Sequence, residues 1–339
     1  MSQRPSSIHR PRTLSIGGAT YDLFVRTGPG VLQEDRTGNV LLLPLGSKIR
    51  VDQVIETCGG GAANTAVGLA RLGCASHFCG ILGSDQWGQR QLENFKKEGV
   101  DARCTTIVEG ETSSFSIILS AGSGERVIFY DPGTNAHLHD VTFDRESIAR
   151  MQWIYLNHIH EASGMIEQNI ASILAESPDV RLTWNPGGNQ LKRGIVDPSN
   201  KTLLRETDVI ICNREEAMQF AAAASEAAAR TALLAAGVRI VCICNGKEGA
   251  TTSDGTTTWH CPIIEDAEVV DTTGAGDAFG TGFTWALTQD LPLSDALRAG
   301  TINATSVIGT MGAEAGLLTD IEMRAQLKTT KLDVVESNT

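Results

Sequence analysis

Short apolar runs alternate with amphipathic segments through the C-terminal part of the chain. Apolar residues stand in unbroken blocks or at every second position, which is typical of strands, and then recur at intervals of three and four, which is typical of helices. From residue 143 onward the pattern predicts helix 144–150, strand 153–157, helix 164–176, strand 180–184, helix 199–206, strand 208–211, helix 214–235 and strand 239–244. Strands that alternate with helices form parallel sheets covered on both faces, so we expect an α/β fold.

The N-terminal third of the chain follows a different pattern. A short strand at 13–16 runs into a glycine pair, and helical spacing appears at 62–72 before a strand at 75–81. Two strand-like regions, about 20–57 and 103–131, interrupt this rhythm, so we expect them to meet in a separate small sheet. The prediction is one domain over residues 13–330, with a disordered tail at 1–12 and a second tail at 331–339.

Acidic residues outnumber basic ones, and the 339 residues carry a net charge of −12 at pH 7. This balance argues against nucleic acid or an anionic membrane as the main partner, because phosphate-rich surfaces require clustered Lys and Arg. No apolar run approaches the length of a membrane span or the core of a signal peptide. The eight cysteines form no C-x-x-C pair, which predicts free thiols in a reducing compartment, the cytoplasm.

The segment Glu268–Leu287, EVVDTTGAGDAFGTGFTWAL, places a glycine-rich turn and a carboxylate in front of a helix. Val269 and Val270 are predicted to end a strand that the small residues after them cannot continue. Backbone N–H groups at a helix N-terminus attract anions, so the turn is a candidate phosphate site, and Asp277 is either a helix cap or a base. A dinucleotide fingerprint would need its third glycine one residue before Gly280, and the only Gly-Lys pair lacks the Ser or Thr of a P-loop.

The string DTTGAGDAFGTG closely resembles the C-terminal signature of the ribokinase-like sugar and nucleoside kinases, the PfkB family. The resemblance implies a ribokinase-like three-layer α/β/α sandwich, with a mostly parallel central sheet and a small β-sheet lid. It also implies ATP-dependent phosphorylation of a hydroxyl, assisted by Mg²⁺. By the same resemblance Asp277 is the catalytic base, Asp271 is a ligand of an activating monovalent cation such as K⁺, and the anion hole is the backbone of Gly274, Ala275 and Gly276.

A second match, CGGGAANTAVGLARLG at 58–73, resembles the N-terminal signature of the same family. Gly59 and Gly60 let the backbone approach a substrate, and Asn64 offers both a donor and an acceptor to a hydroxyl. Phosphosugar kinases of the group typically carry Lys where this chain has Gly61. We therefore expect a small non-phosphorylated sugar as the acceptor, with a nucleoside as the alternative.

Two further acceptor contacts follow from the resemblance. Asp22 matches an early acid that binds sugar hydroxyls, and His160 lies in a segment that often contacts the acceptor. The pairs His137/His139 and His158/His160 could instead be considered a zinc site, because residues i and i+2 share a strand face. No cysteine or carboxylate completes a ligand set at the usual spacing, so the sequence favours the sugar contact.

The nucleotide side carries weaker matches. Asn213 and Glu216 resemble the N-x-x-E motif of the family, in which the Glu orders water around Mg²⁺, but the same pair could also be a helix cap with a first-turn acid. The remaining nucleotide contacts implied by the resemblance are Asn185, Cys244, Gly246, Gly249 and Asn303.

One other interpretation stays open at this point. The chain could be a non-catalytic protein that binds sugar or nucleotide on a kinase scaffold, although the base, the glycine turn and the Asn213/Glu216 pair are all present. The small sheet, which covers the sugar in the family, is often a dimer surface there. The resemblance therefore also implies a homodimer formed through the lid.

Overall fold

The computed structural model describes residues 10–27, 32–35, 38–41, 43, 45–121, 126–140, 145–159 and 164–338. Its strands are β1 (Arg12–Ile16), β2 (Thr20–Thr27), β3 (Leu32–Asp35), β4 (Gly38–Leu41), β5 (Val51–Gly59), β6 (Ala75–Cys79), β7 (Ile81–Gly83), β8 (Thr106–Val108), β9 (Phe115–Ala121), β10 (Arg126–Asp131), β11 (Trp153–Leu156), β12 (Arg181–Trp184), β13 (Val209–Asn213), β14 (Ile240–Cys244), β15 (Ala250–Ser253), β16 (Thr257–Cys261) and β17 (Val335–Asn338). Its helices are α1 (Gly61–Arg71), α2 (Gln86–Glu98), α3 (Arg145–Ala149), α4 (Met165–Ala175), α5 (Gly188–Arg193), α6 (Pro198–Glu206), α7 (Arg214–Ala221), α8 (Glu226–Ala235), α9 (Ala275–Thr288), α10 (Leu293–Ile308) and α11 (Asp320–Thr329).

The main sheet has nine strands in the order β17-β16-β15-β14-β13-β12-β11-β1-β6. The six strands from β14 to β6 are parallel, and β15, β16 and β17 add antiparallel pairs at one edge. β17 pairs with β16 from Thr257↔Asn338 to His260↔Val335. The predicted tail at 331–339 is therefore wrong for Val335–Asn338, which close the edge of the sheet.

Both faces of the main sheet are apolar, because successive side chains of a strand point to opposite faces. In β13, Ile210 and Cys212 join the core under α3–α8, whereas Val209 and Ile211 join the core under α1, α9, α10 and α11. A strand buried on both sides needs a continuous apolar run, and this is the pattern that predicts the strand from sequence. The predicted three-layer α/β/α sandwich is confirmed.

A separate four-stranded sheet, here called the small sheet, has the order β10-β9-β2-β5. Its strands come from the two regions that interrupt the βα rhythm in the sequence. β8, which lies in the second of these regions, pairs with β7 instead, and β3 pairs with β4 in a hairpin of its own. The predicted small sheet is therefore present beside the main sheet, and its role as a lid stays a prediction.

Two local predictions are wrong. The helix predicted at 214–235 is two helices, because Ala222 adopts φ 49° after α7 and the hydroxyl of Ser225 then caps α8 by accepting from the Ala228 N–H. The strand predicted to lead directly into α9 is absent, since Val269 and Val270 lie in an irregular segment and are 60% and 46% exposed. The β-branched pair suggested a strand, but the Val270 N–H bonds the carbonyl of Ile308 at the end of α10 instead of a neighbouring strand.

All eight cysteines are free thiols, five of them buried and three partly exposed, as the missing C-x-x-C spacing predicts. Among the described helices, none is both long and apolar enough to cross a membrane.

Candidate active site

The site lies at the carboxyl ends of the parallel strands, where the sheet order reverses direction along the chain. β1 is followed along the sequence by β6 on one side, whereas β11 joins it on the other side. Open α/β sheets bind ligands in the crevice at such a switch point. The N-termini of α1 and α9 converge on this crevice, and the Asn64 Nδ2 atom of α1 donates to the Asp277 Oδ2 atom of α9 over 2.8 Å.

The first turn of α9 forms a cup of backbone N–H groups, here called the glycine cup. Gly274 is the N-cap with φ 77°, and no side chain of the described residues caps the helix. Asp277 is the third helical residue, and its carboxylate accepts from Asn64 rather than from a backbone N–H of the helix. The cap interpretation of Asp277 is therefore excluded. A Cβ at Gly274 would overlap Ala313, whereas the Gly276 position faces open space.

Asp277 combines a desolvated carboxylate with an open approach. The residue is partly exposed, but surrounding protein atoms raise its pKa by desolvation, against the Asn64 hydrogen bond and with help from the charge of Glu216. A raised pKa makes the carboxylate a better proton acceptor. One turn further along α9, Gly280 leaves the space that the buried Tyr155 hydroxyl fills.

A cavity of about 290 Å³ lies at the N-terminus of α1, between the ends of β1 and β11 and the small sheet. Gly18 follows β1 and Asn157 follows β11, Asn135 comes from the segment after β10, and Tyr130 reaches over from β10 itself. A Cβ at Gly60 would lie 2.6 Å from the Thr20 nitrogen, so only glycine fits where α1 begins. Here we call this space the asparagine cavity.

The asparagine cavity is lined by amide oxygens without partners. Asn157 donates its Nδ2 to the Thr65 hydroxyl, which in turn donates to the Ala62 carbonyl and must therefore accept from the amide. Asn135 donates its Nδ2 to the Ala19 carbonyl, which has no hydrogen to give. Both Oδ1 atoms are thus fixed as acceptors, and both are buried without a partner among the described residues.

Asn64 shows the same arrangement at the border of the cup. Its Nδ2 is committed to the carboxylate of Asp277, and its Oδ1 is buried and unpartnered. A buried polar atom without a partner costs about 1–3 kcal/mol, so these three acceptors call for hydrogen-bond donors, either water or a ligand.

Asp22 lies on β2 of the small sheet and is not among the residues that line the asparagine cavity. It is 7% exposed and packs against Gly59, where a Cβ would overlap its carboxylate. Burial raises the pKa of Asp22 to about 6, against a hydrogen bond from Ser116. The neighbouring Glu314 is also buried, which raises its pKa to about 7 although Asn94 donates to it. The contact of Asp22 with a sugar hydroxyl stays a prediction.

Asn213 and Glu216 form a complete capping box at the start of α7. The Asn213 side chain accepts from the Glu216 N–H over 2.8 Å, and the Glu216 carboxylate accepts from the Asn213 N–H over 2.9 Å. The helix-cap alternative is therefore real, and it does not exclude a second role. Burial raises the pKa of Glu216, and its charge acts on Asp277 across the crevice.

The other predicted nucleotide residues divide into two groups. Asn185 follows β12 and donates to the Ile211 carbonyl, and Cys244 ends β14 before a turn in which Gly246 faces open space. In the same turn Gly249 adopts φ 86°, and a Cβ there would overlap the Cys261 carbonyl. These residues lie at the carboxyl edge of the sheet, and their contact with a nucleotide stays a prediction.

Asn303 does not fit the expectation. It is fully buried in α10, where its Nδ2 donates to the Ala278 carbonyl and its Oδ1 accepts from the Leu318 N–H. The amide therefore ties α9 to the segment before α11. The prediction that Asn303 flanks the adenine does not hold in this structure, because no part of its side chain reaches the surface.

Asp271, the predicted ligand of a monovalent cation, has the Arg126 guanidinium as its cationic partner. Its carboxylate accepts from the Arg126 guanidinium over 2.7 Å, from the N–H and hydroxyl of Thr273 over 3.0 and 2.8 Å, and from the Gly312 N–H over 3.2 Å. Three of these donors share Oδ1, and Oδ2 accepts only from Gly312, so the arginine and the turn saturate one oxygen of the carboxylate. The described residues also contain no cluster of three or more His, Cys, Asp or Glu side chains that could hold a metal ion.

The predicted histidine contact cannot be placed, because His160 lies outside the described residues. His158 is described and lines the asparagine cavity. His137 pairs with Glu111 over 2.9 Å. In the described part of the chain, no third His, Cys, Asp or Glu side chain joins them to form a metal site.

Sequence reasoning missed three residues of the site, Asn135, Asn157 and Arg126. Asn157 is the first residue after an apolar strand, which is the position where parallel strands present side chains to a ligand, and this was the available signal. Asn135 and Arg126 belong to no motif, and only the tertiary structure brings them to the crevice.

The chain is similar to known proteins over most of its length. The family model described as "pfkB family carbohydrate kinase" matches residues 33–320. A relative described as "Uncharacterized sugar kinase", from Archaeoglobus fulgidus, is 30% identical over 252 residues, which cover 74% of this chain and 98% of the relative.

Two solved structures share the fold. The structure of Arabidopsis thaliana ribokinase complexed with ribose and ATP aligns with a TM-score of 0.79 and 22% identity, over 95% of this chain and 99% of that one. The Burkholderia thailandensis nucleoside kinase in complex with inosine aligns with a TM-score of 0.75 and 19% identity, over 94% of this chain and 98% of that one.

Proposed function

The chain belongs to the pfkB family of carbohydrate kinases and is a phosphotransferase with an alcohol group as acceptor, and from this premise we propose that it uses ATP to phosphorylate a small, non-phosphorylated sugar. One observation carries the proposal. The first turn of α1 links the two parts of the site: Gly60 and Gly61 line the asparagine cavity, and Asn64, one turn further along, donates to Asp277 in the first turn of α9.

In this mechanism the acceptor hydroxyl lies against Asp277 while its neighbouring hydroxyls donate into the asparagine cavity. Asp277 takes the proton as the hydroxyl oxygen attacks the γ-phosphoryl group, and Asn64 holds the carboxylate toward the crevice. General-base assistance of this kind is worth about 10²- to 10⁴-fold in rate. The N–H groups at the start of α9 stabilise the negative charge that develops on the transferred group.

Glu216 would hold Mg²⁺ on the nucleotide side through ordered water. The charge of Glu216 helps to raise the pKa of Asp277, and a divalent cation between the carboxylates and the phosphates would offset this repulsion. Mg²⁺ usually keeps several waters and binds one or two carboxylates together with substrate phosphates, which suits a site without a complete protein cage. When bound, the ion supplies charge neutralisation on the phosphates, and Asn185, Cys244, Gly246 and Gly249 are proposed to contact the nucleotide.

The polarity of the asparagine cavity favours an uncharged acceptor. Asn135 and Asn157 present only acceptor atoms, which suits hydroxyl donors and repels phosphate or carboxylate oxygens. Gly61, where a Cβ would lie 2.9 Å from the Asn157 Oδ1 atom, brings no cation to the cavity. Asp22, Gly59, Gly60 and His160 complete the proposed acceptor contacts.

We also propose a homodimer formed through the outer face of the small sheet. Val54, Val25, Leu119 and Val127 are opposite one another on neighbouring strands and so form one apolar row across all four strands. Phe129 lies two residues after Val127 on the same face of β10 and is 53% exposed. A second copy that covers this face would bury it, and sedimentation analysis of the wild type and of Phe129→Lys tests the proposal, with a monomeric wild type contradicting it.

The function is tested by measuring ADP release from MgATP with a panel of acceptors. The panel contains ribose and fructose, the 5-phosphate and 6-phosphate of these sugars, and inosine. We expect turnover with a free sugar, at least about tenfold lower kcat/KM with its phosphate ester, and no ADP release with Asp277→Asn. Preference for inosine would replace the sugar by a nucleoside, and ligand-induced stabilisation without ADP release from the wild type would contradict catalysis.

A further inference from the structure

The ion pair between Arg126 and Asp271 joins the small sheet to the loop that leads into the glycine cup. Arg126 is the first residue of β10, and Asp271 stands three residues before Gly274. The Asp271 side chain is 4% exposed and that of Arg126 is 33% exposed, so the contact is largely removed from water. The second guanidinium nitrogen of Arg126 lies 3.4 Å from the Thr272 hydroxyl.

The contacts of Asp271 organise the whole turn before α9. Two of its hydrogen bonds come from Thr273 in the same turn, one comes from Gly312 after α10, and one comes from Arg126. The carboxylate thus fixes the start of the glycine cup against the C-terminal end of α10. Arg126 is the cationic partner in this set, and it is the contact that belongs to the small sheet.

A buried carboxylate stays ionised only where hydrogen bonds or a positive charge compensate its desolvation. In the PfkB family the acid at this position is implied to bind an activating monovalent cation, but here a guanidinium occupies the carboxylate. Arginine remains protonated at every pH that the protein meets, so this charge cannot be lost by titration. It can be withdrawn only by moving β10 away from the main body.

We propose that Arg126 is a positioning residue that supplies from the small sheet the positive charge at Asp271, and that the glycine cup of this chain therefore needs no monovalent cation. Docking of the small sheet and ordering of residues 271–277 are then one event. The proposal rests on the proposed role of the cup in phosphoryl transfer. It predicts that activity is independent of K⁺ in the wild type and becomes dependent on K⁺ when the guanidinium is removed.

The test compares wild type, Arg126→Met, Arg126→Gln and Arg126→Lys in MgATP with KCl or with tetramethylammonium chloride at equal ionic strength. We expect the wild type and Arg126→Lys to respond to KCl by less than about twofold. The neutral variants should lose about 10- to 100-fold in kcat, because a displaced cup misplaces the phosphoryl group, and should regain part of it in KCl. KM for the sugar should change little.

Arg26→Met is the matched control. Arg26 lies on β2 in the same cross-strand row as Arg126, is exposed, and forms no ion pair with any residue that the structure describes. Its removal lowers the charge of the small sheet by the same amount and should leave both the activity and the KCl response as in the wild type.

Thermal unfolding without substrates gives a readout that does not depend on turnover. A cation that binds only the folded neutral variants must raise their melting temperature with its concentration, whereas the wild type should not respond. Stabilisation of the wild type by K⁺ over tetramethylammonium, or its absence in both neutral variants, would overturn the proposal. A wild type that melts as expected but releases no ADP would refute the proposed function and leave the charge replacement standing.

Discussion

The two ends of the crevice have opposite hydrogen-bonding character. At the glycine cup, residues 274–277 present backbone N–H donors and a helix dipole, and the Gly276 position is open. In the asparagine cavity, Asn135 and Asn157 present buried oxygen acceptors whose N–H groups are already used. The donor end suits an anion and the acceptor end suits hydroxyls. Wall polarity therefore supports the proposal that phosphate binds at one end and a neutral polyol at the other.

Asn64 and Asp277 lie at the boundary between these ends. Asn64 faces Asp277 with its N–H and leaves its Oδ1 unpartnered, so one amide serves both sides. A group that transfers between a phosphate and a hydroxyl must cross this boundary. The comparison therefore predicts that substitutions at the boundary affect turnover, while substitutions at either end affect the binding of one ligand.

The largest effect is expected at the boundary. Asp277→Asn keeps the shape and the hydrogen-bonding contact with Asn64 but removes the proton acceptor, so kcat should fall by about 10²- to 10⁴-fold. Nucleotide binding, measured by calorimetry with ADP, should stay within a few-fold of the wild type. Near wild-type kcat in this variant would remove Asp277 from the role of base.

The next effect tests the donor end. Gly274→Ala places a Cβ against Ala313 at a backbone φ of 77°, so the cup must distort, and loss of one aligned donor costs about 10²- to 10³-fold in kcat. Gly276→Ala is the matched control for the fold, because its Cβ meets no protein atom within 4 Å. We expect a lower melting temperature for the first variant only. Equal kcat for wild type and Gly274→Ala would contradict the cup.

A smaller effect sharpens the acceptor end. Asn157→Leu removes one buried acceptor and leaves the Thr65 hydroxyl without its donor, so KM for the sugar should rise by about 10- to 100-fold. KM for ATP in the same variant is the internal control and should change less than about twofold. Parallel increases in both KM values would mean that the two ends are not independent.

The smallest effect concerns stability rather than turnover. Burial raises the pKa of Glu314 to about 7, so between pH 5 and 7 the folded state holds a proton that the unfolded state has released. The free energy of unfolding must therefore fall as pH rises through this window, by about 1–3 kcal/mol from this group. Denaturant unfolding at pH 5 and pH 8 measures this change. The free energy of unfolding of Glu314→Gln should fall less between these pH values than that of the wild type. The exposed control variant Glu109→Gln should follow the wild type.

Motif strings predicted the donor end well because its chemistry is local. Gly274, Gly276 and Asp277 are neighbours in the chain, and small residues before a helix leave N–H groups free whatever surrounds them. The acceptor end was predicted only in part. Asn64 was found through the glycines beside it, whereas Asn135 and Asn157 reach the cavity from segments after β10 and β11.

Three of the wrong predictions share a cause. Asn303, Val269–Val270 and the tail at 331–339 were judged from residue type and spacing, which do not state what packs against a segment. Burial gave the Asn303 amide two protein partners, and the edge of the main sheet recruited Val335–Asn338 as a strand. In each case a contact distant in sequence decided the outcome.

The sequence by itself determined the α/β class, the family and the backbone cup that we propose for phosphate, because hydrophobic period and glycine spacing act over a few residues. Only the tertiary structure decided the polarity of the asparagine cavity and the partner of Asp271. An amide has two faces, and which one remains for a ligand depends on what the other bonds. The charge at Asp271 likewise comes from Arg126, 145 residues away along the chain.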